Sequence, residues 1–111
     1  MAMNTPRKLL AFAVFAIAAT VLPAQADSYP QGNINFVVPF PPGGGTDIPS
    51  RLLVQQIGKE TGWNFVVENR PAAGGNIGLA QLARSTANGQ YIGMGQTSNL
   101  AVNPSLYKDI P

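Results

Sequence analysis

Three consecutive glycines followed by a hydroxyl and a carboxylate, Pro41-Pro42-Gly43-Gly44-Gly45-Thr46-Asp47, form the segment of this chain best suited to chemistry. Glycine lacks Cβ and enters positive φ freely, so such a segment can turn its N–H groups inward around an anion at the start of a helix. A carboxylate or a phosphate suits that arrangement. Two further segments share the character: Ala73-Gly74-Gly75-Asn76 and Gln96-Thr97-Ser98-Asn99. Taken singly, each reads equally well as a tight turn.

Known phosphate motifs fail residue by residue. A P-loop needs a lysine after its last glycine, and Gly45 is followed by Thr46 and Asp47. A dinucleotide fingerprint counted from Gly43 needs a glycine where Ile48 stands. Asp47 would repel a phosphate, whereas backbone amides without a neighbouring lysine suit a smaller anion such as a carboxylate. Catalysis has little to work with. The chain has no histidine and no cysteine, which removes the usual general base, the thiolate nucleophile and the commonest metal ligands. Ser50, Ser98 and Thr46 remain as nucleophiles, with Asp47, Lys59 or Glu68 beside them. Asp47 falls in the first turn of a helix, where a negative charge is favoured and can tie down the glycine segment, and Arg51 is spaced to pair with it at i+4. Arg70 could meet a ligand carboxylate bidentately or brace its own loop. No metal, cofactor or catalytic residue is expected.

Alternating strands and helices must position these segments. Asn33 to Phe40 is nearly continuous in Ile, Phe and Val, as in a buried parallel strand. A helix follows, with Thr46 as N-cap, Pro49 in its first turn, Ile48, Leu52, Leu53 and Ile57 as its apolar face and Gly62 as its stop. Asn64 to Glu68 is a second strand. Asn76 caps a second helix packed through Ile77, Leu79, Ala80, Leu82 and Ala83, Asn88-Gly89 turns the chain, and Tyr91 to Gly95 is a third strand. Leu100 to Val102 sit on a short helix, and Asn103-Pro104-Ser105 is turn-like. In open α/β sheets the loops after parallel strands gather on one edge, where ligands bind. The three polar segments, at 41 to 47, 70 to 76 and 96 to 99, therefore meet at one site.

The N-terminus carries an export signal. Arg7 and Lys8 precede an apolar run from Leu9 to Leu22, and Pro23-Ala24-Gln25-Ala26 ends in a small-x-small cleavage pattern. Cleavage after Ala26 leaves a mature segment, 27–111, of one domain at most. The net charge of +2 then vanishes, because Arg51, Lys59, Arg70, Arg84 and Lys108 balance Asp27, Asp47, Glu60, Glu68 and Asp109. No basic stripe remains to favour nucleic acid.

Tyr29-Pro30, Val37-Val38-Pro39-Phe40-Pro41-Pro42-Gly43-Gly44-Gly45-Thr46-Asp47, Arg51-Leu52-Leu53, Val66-Val67-Glu68-Asn69-Arg70-Pro71, Ala73-Gly74-Gly75-Asn76-Ile77-Gly78 and Asn103-Pro104-Ser105-Leu106-Tyr107 occur in this order. Together they resemble the N-terminal part of the Bug family, the periplasmic solute receptors of tripartite tricarboxylate transporters. The resemblance implies an α/β periplasmic-binding-protein fold of the type II, Venus-flytrap kind, of which this chain holds the first part of domain 1. It implies binding, not catalysis: capture of a small carboxylated solute, a di- or tricarboxylate or similar acid, for membrane permease subunits. The ligand carboxylate is held between the loop matching Pro41, Gly43, Gly44, Gly45, Thr46 and Asp47 and the loop matching Ala73, Gly74, Gly75 and Asn76, by main-chain groups and bridging water. Thr97 and Ser98 match a third, hydroxyl-bearing loop. Three departures stand out. Ala72 replaces a frequent glycine and narrows the second loop's conformations, Pro49 stands where a helix former is usual, and Gln90-Tyr91-Ile92 replaces a Gly-Tyr-Thr-like strand start. Family members continue into a second domain, so the segment alone is expected to bind weakly or not at all. An exported small α/β interaction domain and a hydrolase fragment are the alternatives, although the latter lacks a Gly-x-Ser-x-Gly elbow.

Overall fold

The computed structural model describes residues 28–111. The export signal read at 1–26 lies outside these residues. Strand β1, Ile34–Val38, is buried along nearly its whole length. It is the centre of a three-stranded sheet of order β2-β1-β3, with β2 spanning Phe65–Asn69 and β3 spanning Tyr91–Gly93. Both neighbours run parallel to β1, with Ile34 opposite Phe65 and Asn35 opposite Tyr91. A central parallel strand is covered on both faces, which is why its sequence is continuously apolar. The ladder extends past the strand ends through Arg70 N–H to Val38 O at 2.8 Å and Met94 N–H to Val37 O at 3.0 Å.

Helix α1, Asp47–Thr61, connects β1 to β2 and ends as expected at Gly62, whose φ of 75° places it in the left-handed region with its N–H on Gly58 O. Its orientation differs from the sequence expectation. Ile48, Leu52 and Leu53 are 54%, 62% and 46% exposed, and the buried stripe is Asp47, Ser50 and Val54. Polar anchors at the helix start decide this rotation. Ser50 Oγ donates to Thr46 O at 2.6 Å, and Asp47 is held by partners beneath the helix, so Val54 is the apolar side chain that lands on Phe36 and Val38.

Helix α2, Asn76–Ala83, connects β2 to β3. Val37 points to the face opposite Phe36 and Val38, where Leu82 of α2 lies so close that a Cβ on Gly93 would stand 2.6 Å from its Cδ2. Neither expected cap forms as read. Thr46 occupies the N-cap position of α1, but its hydroxyl makes no capping bond. Asn76 is the first residue of α2, and left-handed Gly75 precedes it. The third strand is shorter than Tyr91 to Gly95, because the chain turns at Gly95 against Leu100. Asn103-Pro104-Ser105 is not a turn. A π-helical turn, Ser98–Val102, runs without a break into helix α3, Asn103–Leu106, with Pro104 as its second residue.

Candidate functional site

All three polar segments follow C-terminal strand ends of one parallel sheet, so the fold brings them to the same edge. In the first, the glycine turn is tied down by its own acid. Asp47 Oδ2 accepts from Gly43 N–H at 2.8 Å, and Arg51 Nε donates to Oδ1 and Oδ2 at 3.0 and 2.9 Å. Asn69, at the end of β2, completes a ring: its Nδ2 donates to Asp47 Oδ1 at 2.8 Å and to Phe40 O at 3.0 Å, while its Oδ1 accepts from Arg51 Nη2 at 2.8 Å. Asp47 is 2% exposed. Its bond from Arg51, then those from Gly43 and Asn69, lower its pKa from 3.8 to about 2, because each donor favours the ionised form. Among the described residues, the N–H groups of Gly45 and Thr46 donate to no backbone carbonyl or side chain, which leaves two amides at the start of α1.

The second segment, a 3₁₀ turn over Ala73–Gly75, is left-handed at three successive residues, with φ of 47° at Ala73, 63° at Gly74 and 89° at Gly75. Ala72 is extended, φ −165° and ψ 145°, a conformation open to any residue. The expected narrowing at Ala72 therefore does not arise, and the demand falls one residue later. Gly75 N–H donates to Ala72 O at 2.9 Å and Asn76 N–H to Ala73 O.

In the third segment, Gln96 N–H donates to Asn99 Oδ1 at 2.8 Å and Ser98 Oγ approaches Gln96 Oε1 at 3.3 Å. The segments are laced together. Gln96 Nε2 donates to Thr46 Oγ1, and Asn103 Nδ2 donates to Asn76 Oδ1 at 2.8 Å and to Gly74 O at 3.4 Å. Gly78 passes so close to β1 that a Cβ there would stand 2.7 Å from Arg70 O and 2.8 Å from Pro39 Cβ.

The candidates divide by burial. Thr46, Asp47, Gly75 and Asn76 are buried, Gly44 is half-buried, and Pro41, Gly43, Gly45, Ala73, Gly74, Thr97 and Ser98 are exposed. Asp47 and Asn76 form the frame, since their side-chain oxygens are engaged within the chain, and the exposed members form the rim. Arg70 braces its own surroundings: Nη2 and Nε bond Glu68 Oε2 at 2.5 and 3.1 Å, and Nη1 reaches Gln81 Oε1 at 3.3 Å. The sequence placed Gln96 and Asn99 in the third polar segment and Asn103 in a turn, but it assigned no bridging role to them or to Asn69. Asn69 and Asn103 lay inside quoted motifs, but their partners are 18 to 29 residues away. An open groove of about 510 Å³ lies between α1 and β2, lined among others by Leu52, Val54, Trp63 and Phe65, with Arg51 of the Asp47 ring also in its lining. Among the described residues no group of acidic side chains is placed to hold a metal.

Comparison with known proteins agrees with this architecture. The model of the tripartite tricarboxylate transporter family receptor matches residues 50–111. Protein BugT of Bordetella pertussis is 41% identical over 98% of this chain and 34% of its own length, and a Cupriavidus necator protein from the gbd 5' region is 43% identical over 73% of this chain and 24% of its own. Among solved structures, a periplasmic transporter superposes with a TM-score of 0.73 at 44% identity, covering 76% of this chain and 28% of that one. An R. palustris protein solved with adipate gives 0.61 at 32% identity, covering 64% and 24%. The chain spans about a quarter to a third of the length of the curated relatives it matches. The parallel α/β sheet with its three glycine- and hydroxyl-bearing loops is thus part of a periplasmic solute-binding fold, and the family match over more than half of the sequence establishes that the chain belongs to the tripartite tricarboxylate transporter receptor family.

Proposed function

We propose that this chain forms the loop-bearing part of a periplasmic receptor that captures a small carboxylated solute, of the di- or tricarboxylate kind, and delivers it to the permease subunits of a tripartite transporter. The observation that carries the reading is the convergence of three small-residue loops at one sheet edge, joined by Asn69, Gln96 and Asn103. At that edge the amides of Gly45 and Thr46 are available at a helix start, and the hydroxyls of Thr97 and Ser98 are exposed. Amides and hydroxyls without a neighbouring lysine suit a carboxylate held by hydrogen bonds. The related R. palustris protein was solved with adipate, a dicarboxylate, which supports the same class. Binding without turnover fits the side chains. Ser50 Oγ donates to Thr46 O and Glu68 is paired with Arg70, so neither is poised for nucleophilic chemistry.

Receptors of this kind close two lobes on the solute, so the contacts that the described loops make by themselves are expected to be weak. Backbone amide shifts of the isotope-labelled chain, titrated with adipate and with the uncharged diamide of equal length, test the reading. Adipate is expected to move Gly43–Thr46, Ala73–Asn76 and Thr97–Ser98, and the diamide to leave them in place. Shifts confined to the α1/β2 groove, or equal responses to both compounds, would overturn it.

A further inference from the structure

Ala73, Gly74 and Gly75 form a run of three left-handed residues, a conformation that alanine enters only under strain. The run makes few bonds of its own, since Gly75 N–H and Asn76 N–H close back onto Ala72 O and Ala73 O. Pro39 and Phe40 back Gly75 on one side, and the polar support of the run comes from one short segment, the π-helical turn and α3. Asn103 Nδ2 bonds Gly74 O and Asn76 Oδ1, and it lies 3.4 Å from the point a Gly74 Cβ would occupy. Asn99, one helical turn earlier, stands over the next glycine, with its Nδ2 2.6 Å from the point a Gly75 Cβ would occupy.

The orientation of the Asn99 amide is fixed by chemistry: its Oδ1 accepts from Gln96 N–H, so the NH₂ group must face Gly75. Asn99 is 5% exposed, and among the described residues this Nδ2 has no hydrogen-bond acceptor. A buried donor without an acceptor is rare and costly. Two carboxamides at i and i+4 thus press on two successive left-handed glycines, Asn99 from the π-turn, a feature that recurs at functional positions, and Asn103 from the start of α3.

We propose that Asn99 and Asn103 form a two-point clamp of positioning residues, which holds the second glycine loop in its left-handed form and sets its spacing from the first and third loops. The consequence for solute capture rests on the binding reading above, whereas the clamp itself does not. Side-chain length and polarity both enter. A glutamine would carry its NH₂ group one methylene too far, and an aspartate would set a carboxylate against Gly74 O and Asn76 Oδ1.

Amide hydrogen exchange on the full chain tests the clamp without solute. Loss of the Asn103 bonds in Asn103→Ala is expected to speed exchange at Gly75 and Asn76 roughly tenfold, the effect of one lost hydrogen bond, while the β1 amides keep their protection. Asn103→Asp, of equal size, carries the same expectation because it lacks the donor, and it decides the matter if the alanine variant also loses β1 protection. Unchanged exchange at Gly75 and Asn76 with β1 intact would overturn the clamp. A parallel adipate titration separates the two ideas. Faster loop exchange in the variants without any adipate response in the parent chain keeps the clamp and removes the binding reading. Adipate shifts that survive in both variants, with exchange unchanged, remove the clamp and keep the binding reading.

Discussion

The loop edge of the sheet and the outer face of α1 invert the usual partition of side chains. At the loop edge Thr46, Asp47, Ser50, Asn76, Asn99 and Asn103 are all buried, whereas on α1 and beyond β3 large apolar residues such as Leu52, Leu100 and Leu106 face outward. Buried polar groups and exposed apolar ones are the informative exceptions to hydrophobic burial. At the edge Ser50 and Asn99 bond within their own segments, whereas Thr46, Asp47 and Asn76 each bond a side chain from another segment, so the network specifies loop geometry. The outer apolar surface specifies nothing within the described residues and is free to associate.

If this contrast is right, substitutions should separate by region. The largest effect is expected where α2 crosses β1. Gly78→Ala would drive a methyl group into Arg70 O and Pro39, backbone and ring atoms that cannot turn aside, and should cost about 3 kcal/mol in urea unfolding. Val54→Ala, which opens the contact with Phe36 and Val38, should cost about 2 kcal/mol in the same assay. Acid sensitivity comes next. Because Asp47 has its pKa lowered to about 2, its contribution is complete above the ordinary value of 3.8 and is lost as the pH falls from there toward 2. Asp47→Asn should flatten the pH dependence of stability in that window, and an unchanged acid limb would show that the ring of Arg51, Gly43 and Asn69 is not what holds the loop. The smallest effect belongs to the outer face. Leu52→Gln should shift stability by no more than about 0.5 kcal/mol while reducing self-association measured by light scattering.

Much of the fold was legible because its signals are local. The apolar run of β1, the glycine stop at Gly62 and the Asn88-Gly89 turn each declare themselves within a few residues. The convergence of the loops followed from the alternation of strands and helices, and the Asp47–Arg51 pair from helical spacing. What the sequence hid was decided across distance. Ile48, Leu52 and Leu53 form a better apolar face than Asp47, Ser50 and Val54, yet the bonds of Asp47 to Gly43 and Asn69 rotate the helix the other way. Asn103 resembles a turn former because Pro104 follows it, and its role depends on Gly74 and Asn76, far back in the chain. Thr46 and Asn76 carry good capping side chains, but Gln96 and Asn103 engage them instead.

At the opposite end of the sheet, the Tyr29 hydroxyl donates to Gly89 O at 2.7 Å and its ring meets Trp63 edge-on at 5.3 Å. Gly89 and Trp63 each lie just ahead of a strand, so this latch fixes the entering chain at the edge remote from the three loops. A label, surface linker or fusion partner joined ahead of Tyr29 therefore sits at the edge remote from those loops, and orientation on a sensor chip is built into the molecule.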